Sequence, residues 1–195
     1  MNKKLRVIGL SGTNGSGKDT VGNLLEQHHK YLFISVTDLL RNEARRRDLP
    51  VERGVLRSIS AEWRRELGLG VLVEKAVAEY EKVADKYQGI VLASLRNPGE
   101  ADVLHAYGGT VLWIDADPKV RYQRVQKNAA ARGRSAEDDK TYEQFLAEEE
   151  AEMHSSGDSA TLDMSAVKEK ADIFLDNTTE DLTAFRAHVE KELKL

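Results

Sequence analysis

One stretch limits what this chain can fold into more than any other: "GLSGTNGSGKDTVG", residues 9–22. It follows a short apolar run, "LRVIGL" at 5–10, and leads into a helix-like segment. Gly12, Gly17 and Lys18 fit the spacing G-x-x-x-x-G-K. That spacing, between a strand and a helix, is the context in which backbone N–H groups wrap a phosphate. The helix start adds partial positive charge. Glycines let the loop take positive φ and approach the anion closely. Gly12, Thr13, Asn14, Gly15, Ser16, Gly17, Lys18, Asp19 and Thr20 are therefore the expected nucleotide-binding residues, with Lys18 between the β- and γ-phosphates.

The rest of the chain has the rhythm such a loop needs. Apolar runs at 5–10, 31–36, 90–95, 110–115 and 172–176 are short, rich in Val, Ile and Leu, and poorly alternating. Strands buried on both faces read this way. Helix-like segments separate them, at about 17–29, 38–48, 53–67, 70–87, 98–106, 118–131, 141–153 and 180–193. Alternating strand and helix predicts a three-layer α/β fold around a five-stranded parallel sheet. Asp38, Asp117 and Thr179 are expected N-caps, and Pro118 an expected first helical residue. The 195 residues, with 41% hydrophobic composition, suit one domain. Two regions, 41–66 and 126–161, are unusually polar and read as inserts in that domain.

Composition excludes several alternatives. A net charge of -4 gives no general attraction to nucleic acid or to an anionic membrane, so any anion site is built locally. With no cysteines, thiolate catalysis, disulfides and Cys-based zinc sites are ruled out. No stretch reaches the ~18 apolar residues of a membrane helix. The apolar run at the N-terminus enters a glycine loop rather than a signal-peptide cleavage site. A cytoplasmic protein with a small nucleotide substrate is expected. The oligomeric state stays open.

Asp19 departs from the Ser or Thr that usually follows the loop lysine. Two readings stand side by side. Its carboxylate, with the Thr20 hydroxyl, would hold Mg²⁺ directly or through water. Alternatively, it is an acid favoured by the dipole in a first helical turn.

"GTNGSGKDT" resembles the loop of the nucleoside monophosphate kinases, and more distantly that of dephospho-coenzyme A kinases. "SVTDLLRNEARRR" (35–47) is similar to the segment in which adenylate kinases grip the acceptor phosphate. That resemblance assigns substrate binding to Asp38 and Arg41. Arg41 also suits the task physically, because its planar fork binds phosphate oxygens in pairs. Arg96, in "LASLRNPGEADVL" (92–104), lies just past an expected strand end, where parallel sheets bind ligands. Such kinases often hold the same phosphate from there. Glu100 stands where adenylate kinases contact the base, its alternative being a solvated surface acid.

Phosphoryl transfer needs positioned positive charge and exclusion of water. "DPKVRYQRVQKNAAARGRS" (117–135) offers Arg121 and Arg124 on one helical face, then Arg132 and Arg134. It resembles the lid of an archaeal adenylate-kinase-like family. The resemblance implies a helical acceptor-binding insert near 38–87 and a lid near 126–157, and it implies that these four arginines stabilise the transferring charge. A solvated basic helix is the other reading. "DNTTEDL" (176–182) resembles the turn that encloses adenine, which makes Asn177 a nucleotide contact.

The resemblance fails in two places. An Asp near the end of the third strand is usual, and here stand Leu92, Ala93 and Ser94. Paired arginines are usual after the lid, and here Glu148 and Ala151 occupy their places. The expected function is ATP- and Mg²⁺-dependent phosphoryl transfer to a nucleoside or deoxynucleoside monophosphate. Dephospho-coenzyme A kinase activity and a slow ATPase switch are the alternatives.

Overall fold

The computed structural model describes residues 5–128, 140–154, 157–179 and 181–195. Five strands form the sheet: β1 (Val7–Gly12), β2 (Tyr31–Ser35), β3 (Gly89–Ala93), β4 (Thr110–Asp115) and β5 (Ile173–Asp176). All pairings are parallel, in the order β2-β3-β1-β4-β5. β1 is central, with Leu10 beside Ala93 on one flank and Leu112 on the other. The carboxyl ends of the strands therefore gather around the loop that leaves β1, the arrangement in which open α/β sheets bind ligands.

Alternation along each strand feeds two apolar layers. Ile8, Leu10, Val91, Leu112 and Ile114 pack under α1 (Lys18–His29) and the C-terminal helix (Leu182–Leu193), meeting Val21, Leu25, Phe185 and Val189. Val7, Ile90, Leu92 and Val111 face the opposite layer. That layer includes α2 (Val36–Arg46), α3 (Arg53–Leu67), α4 (Val71–Glu81) and α5 (Pro98–Ala106). Gly9 permits its closeness: a Cβ there would lie 2.4 Å from Leu104 Cδ1.

α2, α3 and α4 all lie between β2 and β3 and roof one side of the carboxyl edge. After β4 come α6 (Pro118–Asn128) and α7 (Tyr142–Met153), then the short α8 (Met164–Glu169) and β5; the C-terminal helix is α9. α7 opens with a capping box, in which Thr141 and Gln144 bond each other's backbone N–H groups.

Local signals located most elements to within a residue or two. Asp117 does accept from the Lys119 and Val120 N–H groups. Two expected caps are displaced. α2 begins at Val36 directly from β2, so Ser35 holds the cap position and Asp38 lies inside the first turn. Asp181 caps α9 through the Thr183 and Ala184 N–H groups, while Thr179 Oγ1 accepts from the Asp181 N–H one step earlier. A carboxylate two residues further on reaches the helix's own donors better than the threonine. The single helix expected over 70–87 ends at Glu81, and a 3-10 turn at Ala84–Lys86 follows.

Candidate active site

The loop after β1 has the backbone the glycine pattern requires. Gly12, Gly15 and Gly17 have φ of 134°, 79° and 99°. Gly17 is also α1's N-cap, in the left-handed region. Three outside groups brace the loop. Thr13 Oγ1 donates to Asp115 Oδ1 at the end of β4, 2.7 Å away. Asn177 Nδ2 donates to the Ser16 carbonyl at 2.8 Å. Arg121 Nη1 reaches the Asn14 carbonyl at 3.4 Å. Lys18 Nζ lies back on the loop, donating to the carbonyls of Gly12 (2.8 Å) and Thr13 (2.6 Å). The Ser16 hydroxyl is buried without a partner among the described residues. This is a preformed anion cradle.

A cleft of about 1420 Å³ runs from this cradle to the helices that follow β2. Lys18, Asp19, Thr20, Arg41, Arg57 and Arg96 all line it. Among the described residues, no group of three or more His, Asp or Glu side chains could hold a metal ion. Asp19 and Thr20 are both exposed. Such a site fits Mg²⁺, which keeps most of its water and binds through one or two protein oxygens plus substrate phosphates. Ser94, in the place of the usual strand-end acid, also lines the cleft. It has φ 74°, an uncommon conformation for a residue with a Cβ, and its N–H bonds the Leu10 carbonyl.

The arginines fall into distinct environments. Arg41 lines the cleft and bonds Asp38 Oδ1 at 2.5 Å, so these two come together. Arg124 also lines it, and its guanidinium donates to the carbonyls of Asn177 (2.7 Å) and Thr179 (3.0 Å). Arg121 differs from expectation. Its side chain is 3% exposed and is held by the carbonyl of Ala116, by the Asp115 carboxylate and by Glu149 of α7. It braces the phosphate loop from behind and is not directed over the cleft. Arg121 and Arg124 are neighbours on one helical face, but Arg121 turns to Glu149 of α7 and Arg124 to the carbonyls after β5. Arg132 and Arg134 lie outside the described residues.

Glu100 is also relocated. The carboxylate expected at the base, or in solvent, is fully buried. Its Oε1 accepts from Arg64 Nη2 at 2.6 Å, and its Oε2 accepts from the Arg96 N–H at 2.7 Å and the Asn97 N–H at 3.2 Å. Asn97 and Glu100 form α5's capping box. The sequence signal was "NPGE": Asn, three residues before Glu, with Pro at the first helical position. Asn177 is likewise buried, its side chain turned into the phosphate loop, and only its carbonyl is offered at the rim.

Sequence reasoning missed one group. Arg53 and Arg57, one turn apart on α3, face acids of α7. Arg53 Nη1 bonds Glu148 Oε2 at 2.9 Å, and Lys140 holds the same carboxylate. Glu152 bridges two arginines: Oε1 accepts from Arg57 Nη2 at 2.6 Å and Oε2 from Arg96 Nη1 at 2.8 Å. Burial pushes the Glu152 carboxyl up, but Arg96, Arg57 and Arg53 outweigh it and hold it below the usual carboxylate range. Where the resemblance called for arginines, α7 presents acids, and the basic side is on α3. Spacing alone exposes only half of this: Arg53 and Arg57 share a face, but their partners lie 95 residues away. The pairs also differ in strength. The Arg57 side chain is 49% exposed, and such ion pairs contribute ~0–1 kcal/mol. Arg64 and Glu100, at 2% and 0%, have no solvent to replace a lost partner.

Comparison with known proteins agrees with this architecture. Residues 8–152 match the model of a family described as an AAA domain. A UPF0200 protein of Pyrococcus abyssi is 30% identical over 152 residues, covering 76% of this chain and 78% of that protein. A UPF0200 protein of Pyrobaculum aerophilum is 29% identical over 191 residues, 97% of each chain. Among solved structures, a shikimate kinase from Bacteroides thetaiotaomicron superposes with TM-score 0.60 at 14% identity, covering 98% of this chain and 99% of that one. TT1252 from Thermus thermophilus gives 0.52 at 21% identity, covering 98% and 96%. The five-stranded parallel sheet, the loop at residues 12–20 and these matches together show that the chain belongs to the AAA-domain family and is a relative of the archaeal UPF0200 proteins.

Proposed function

We propose that the protein is an ATP-dependent phosphotransferase whose acceptor is a nucleoside or deoxynucleoside monophosphate. The observation that carries this reading is the cleft itself, whose lining joins Lys18 of the phosphate loop to Arg41, Arg57 and Arg96. A nucleotide switch needs the first and has no use for the second.

In this reading the loop at 12–20 holds the β- and γ-phosphates of ATP through its N–H groups, and Lys18 leaves the Gly12 and Thr13 carbonyls to follow the transferring group. Arg124, lying over the carbonyls of Asn177 and Thr179, walls the base pocket. Arg41 and Arg96 hold the acceptor phosphate, whose own oxygen is the nucleophile; no Ser, His or Cys nucleophile is required. Asp19 and Thr20 are the residues that would hold Mg²⁺, which when bound neutralises charge between the phosphates. Arg121 serves as a brace for the loop, and Arg132 and Arg134, outside the described residues, are the further candidates for neutralising the transferring charge. Acceptor-dependent ADP release, lost in Lys18→Ala and Arg96→Ala, tests the reading.

A second reading, a slow ATPase switch, draws on Ser94. Without an acid at that strand end, the attacking group and the metal waters lose one organiser. Slow ATP consumption indifferent to every acceptor would favour it.

A further inference from the structure

Glu152 has the geometry of a bound ligand. One carboxylate spans two guanidiniums that come from different elements, α3 and the loop after β3, inside the cleft proposed to take the acceptor. Arg53 adds to the positive field around it. We propose that Arg57 and Arg96 form a subsite for an anionic group of the acceptor, and that Glu152 is its built-in competitor, an internal carboxylate that weak carboxylate ligands fail to displace and that yields to phosphate. This rests on the phosphotransferase reading of the cleft and deepens it.

The selectivity follows from what a competitor must offer. A carboxylate ligand brings two oxygens and one charge, so it makes the same two bonds that Glu152 already makes. The internal group wins because its attachment to α7 sets an effective concentration of order millimolar. A phosphate dianion brings a further oxygen and a further charge to a three-arginine field, and charge-assisted bonds to Arg gain from both. The site therefore stays closed to small carboxylates and opens to phosphate. Its opening costs little, because the Arg57 end of the bridge is half in solvent. The same helix carries Glu148 to Arg53 and Glu149 to Arg121, so a ligand that displaces Glu152 loosens α7 as a unit.

The test is binding rather than turnover. With the phosphate loop saturated by Mg·ADP, arginine side-chain signals of the full chain are titrated with inorganic phosphate and, separately, with acetate. Wild type should take phosphate and ignore acetate. If Glu152 fills the subsite nine-tenths of the time, Glu152→Gln should bind acetate and phosphate each about tenfold more tightly, because apparent affinity scales with the open fraction. Adding Arg57→Ala should abolish both gains. Unchanged affinity for both anions in folded Glu152→Gln would overturn the proposal. A measurement on wild type stands apart from any folding defect: phosphate should speed amide exchange in residues 142–153, and unaltered exchange there under saturating phosphate would also overturn it. If these results hold but no acceptor stimulates ADP release, the subsite survives and the phosphotransferase reading fails. Acceptor-dependent turnover with anion affinities unaltered in Glu152→Gln sinks the subsite alone.

Discussion

Arg64 and Glu100 form a buried ion pair, Nη2 to Oε1 at 2.6 Å, that ties α3 to the loop carrying Arg96. The other oxygen of Glu100 fixes the Arg96 N–H at 2.7 Å, so a group hidden from the cleft sets where a cleft arginine begins. Arg64 also donates to the Ala160 carbonyl at 3.0 Å, which extends the tie to the segment before α8. Removing one partner leaves an uncompensated buried charge, at a cost of about 3–5 kcal/mol. Arg64→Met and Glu100→Gln should each lose stability of that order in urea unfolding. In the range where it stays folded, Glu100→Gln should also raise KM for the acceptor more than it lowers kcat.

The phosphate loop depends on Gly17 for two separate reasons. Its φ is 99°, and a Cβ would stand 2.3 Å from Asn177 Nδ2. Gly17→Ala should therefore abolish Mg·ATP binding, measured by fluorescent-nucleotide titration. Asn177→Ala removes the bond to the Ser16 carbonyl and should weaken binding moderately. Adding Asn177→Ala to Gly17→Ala should restore only part of the loss, because the collision is relieved and the backbone strain is not.

Asp19 and Ser94 both line the cleft. Asp19→Ala should raise the Mg²⁺ concentration needed for half-maximal turnover about tenfold, the scale of one lost carboxylate contact. Ser94→Asp should recover much of that. It puts an acid at the strand end, and Asp tolerates the left-handed backbone better than Ser does. Equal Mg²⁺ dependence in wild type and Asp19→Ala would remove Asp19 from the metal site and leave it as a helix-start acid.

Arg46 and Arg47 hold the Glu43 carboxyl at about 2, against an ordinary 4.5. A carboxyl with a lowered folded-state pKa stabilises the fold above its unfolded value, and the contribution disappears as pH falls through the folded one. The stability difference between wild type and Glu43→Gln should thus be full above pH 4.5 and shrink toward pH 2. Unfolding midpoints measured across that range check the sign.

The parts of the site legible in the sequence are those where chemistry is carried by contiguous residues. The loop at 12–20 reads directly because its glycines, lysine and helix start are neighbours. Arg41 and Arg96 were legible as strand-end and first-helix cations. Glu100 was misjudged, since an acid at the third helical position looks the same in sequence whether it caps, pairs or faces solvent; burial decides, and burial depends on Arg64, 36 residues away. The same holds for Arg121, whose partners Asp115 and Glu149 come from β4 and α7. The acids of α7 were noticed as a loss of positive charge. Their role as partners of Arg53, Arg57 and Arg96 emerges only when α3 and α7 are brought together.

The central claim is that the cleft transfers phosphate from ATP to an acceptor held by Arg96. ADP release from Mg·ATP should be measured across AMP, CMP, UMP, GMP, the deoxynucleoside monophosphates and dephospho-coenzyme A, with a no-acceptor control. The account predicts stimulation by at least one monophosphate, abolished in Lys18→Ala and in Arg96→Ala. ATP bound and consumed at the same slow rate whatever acceptor is present would contradict it.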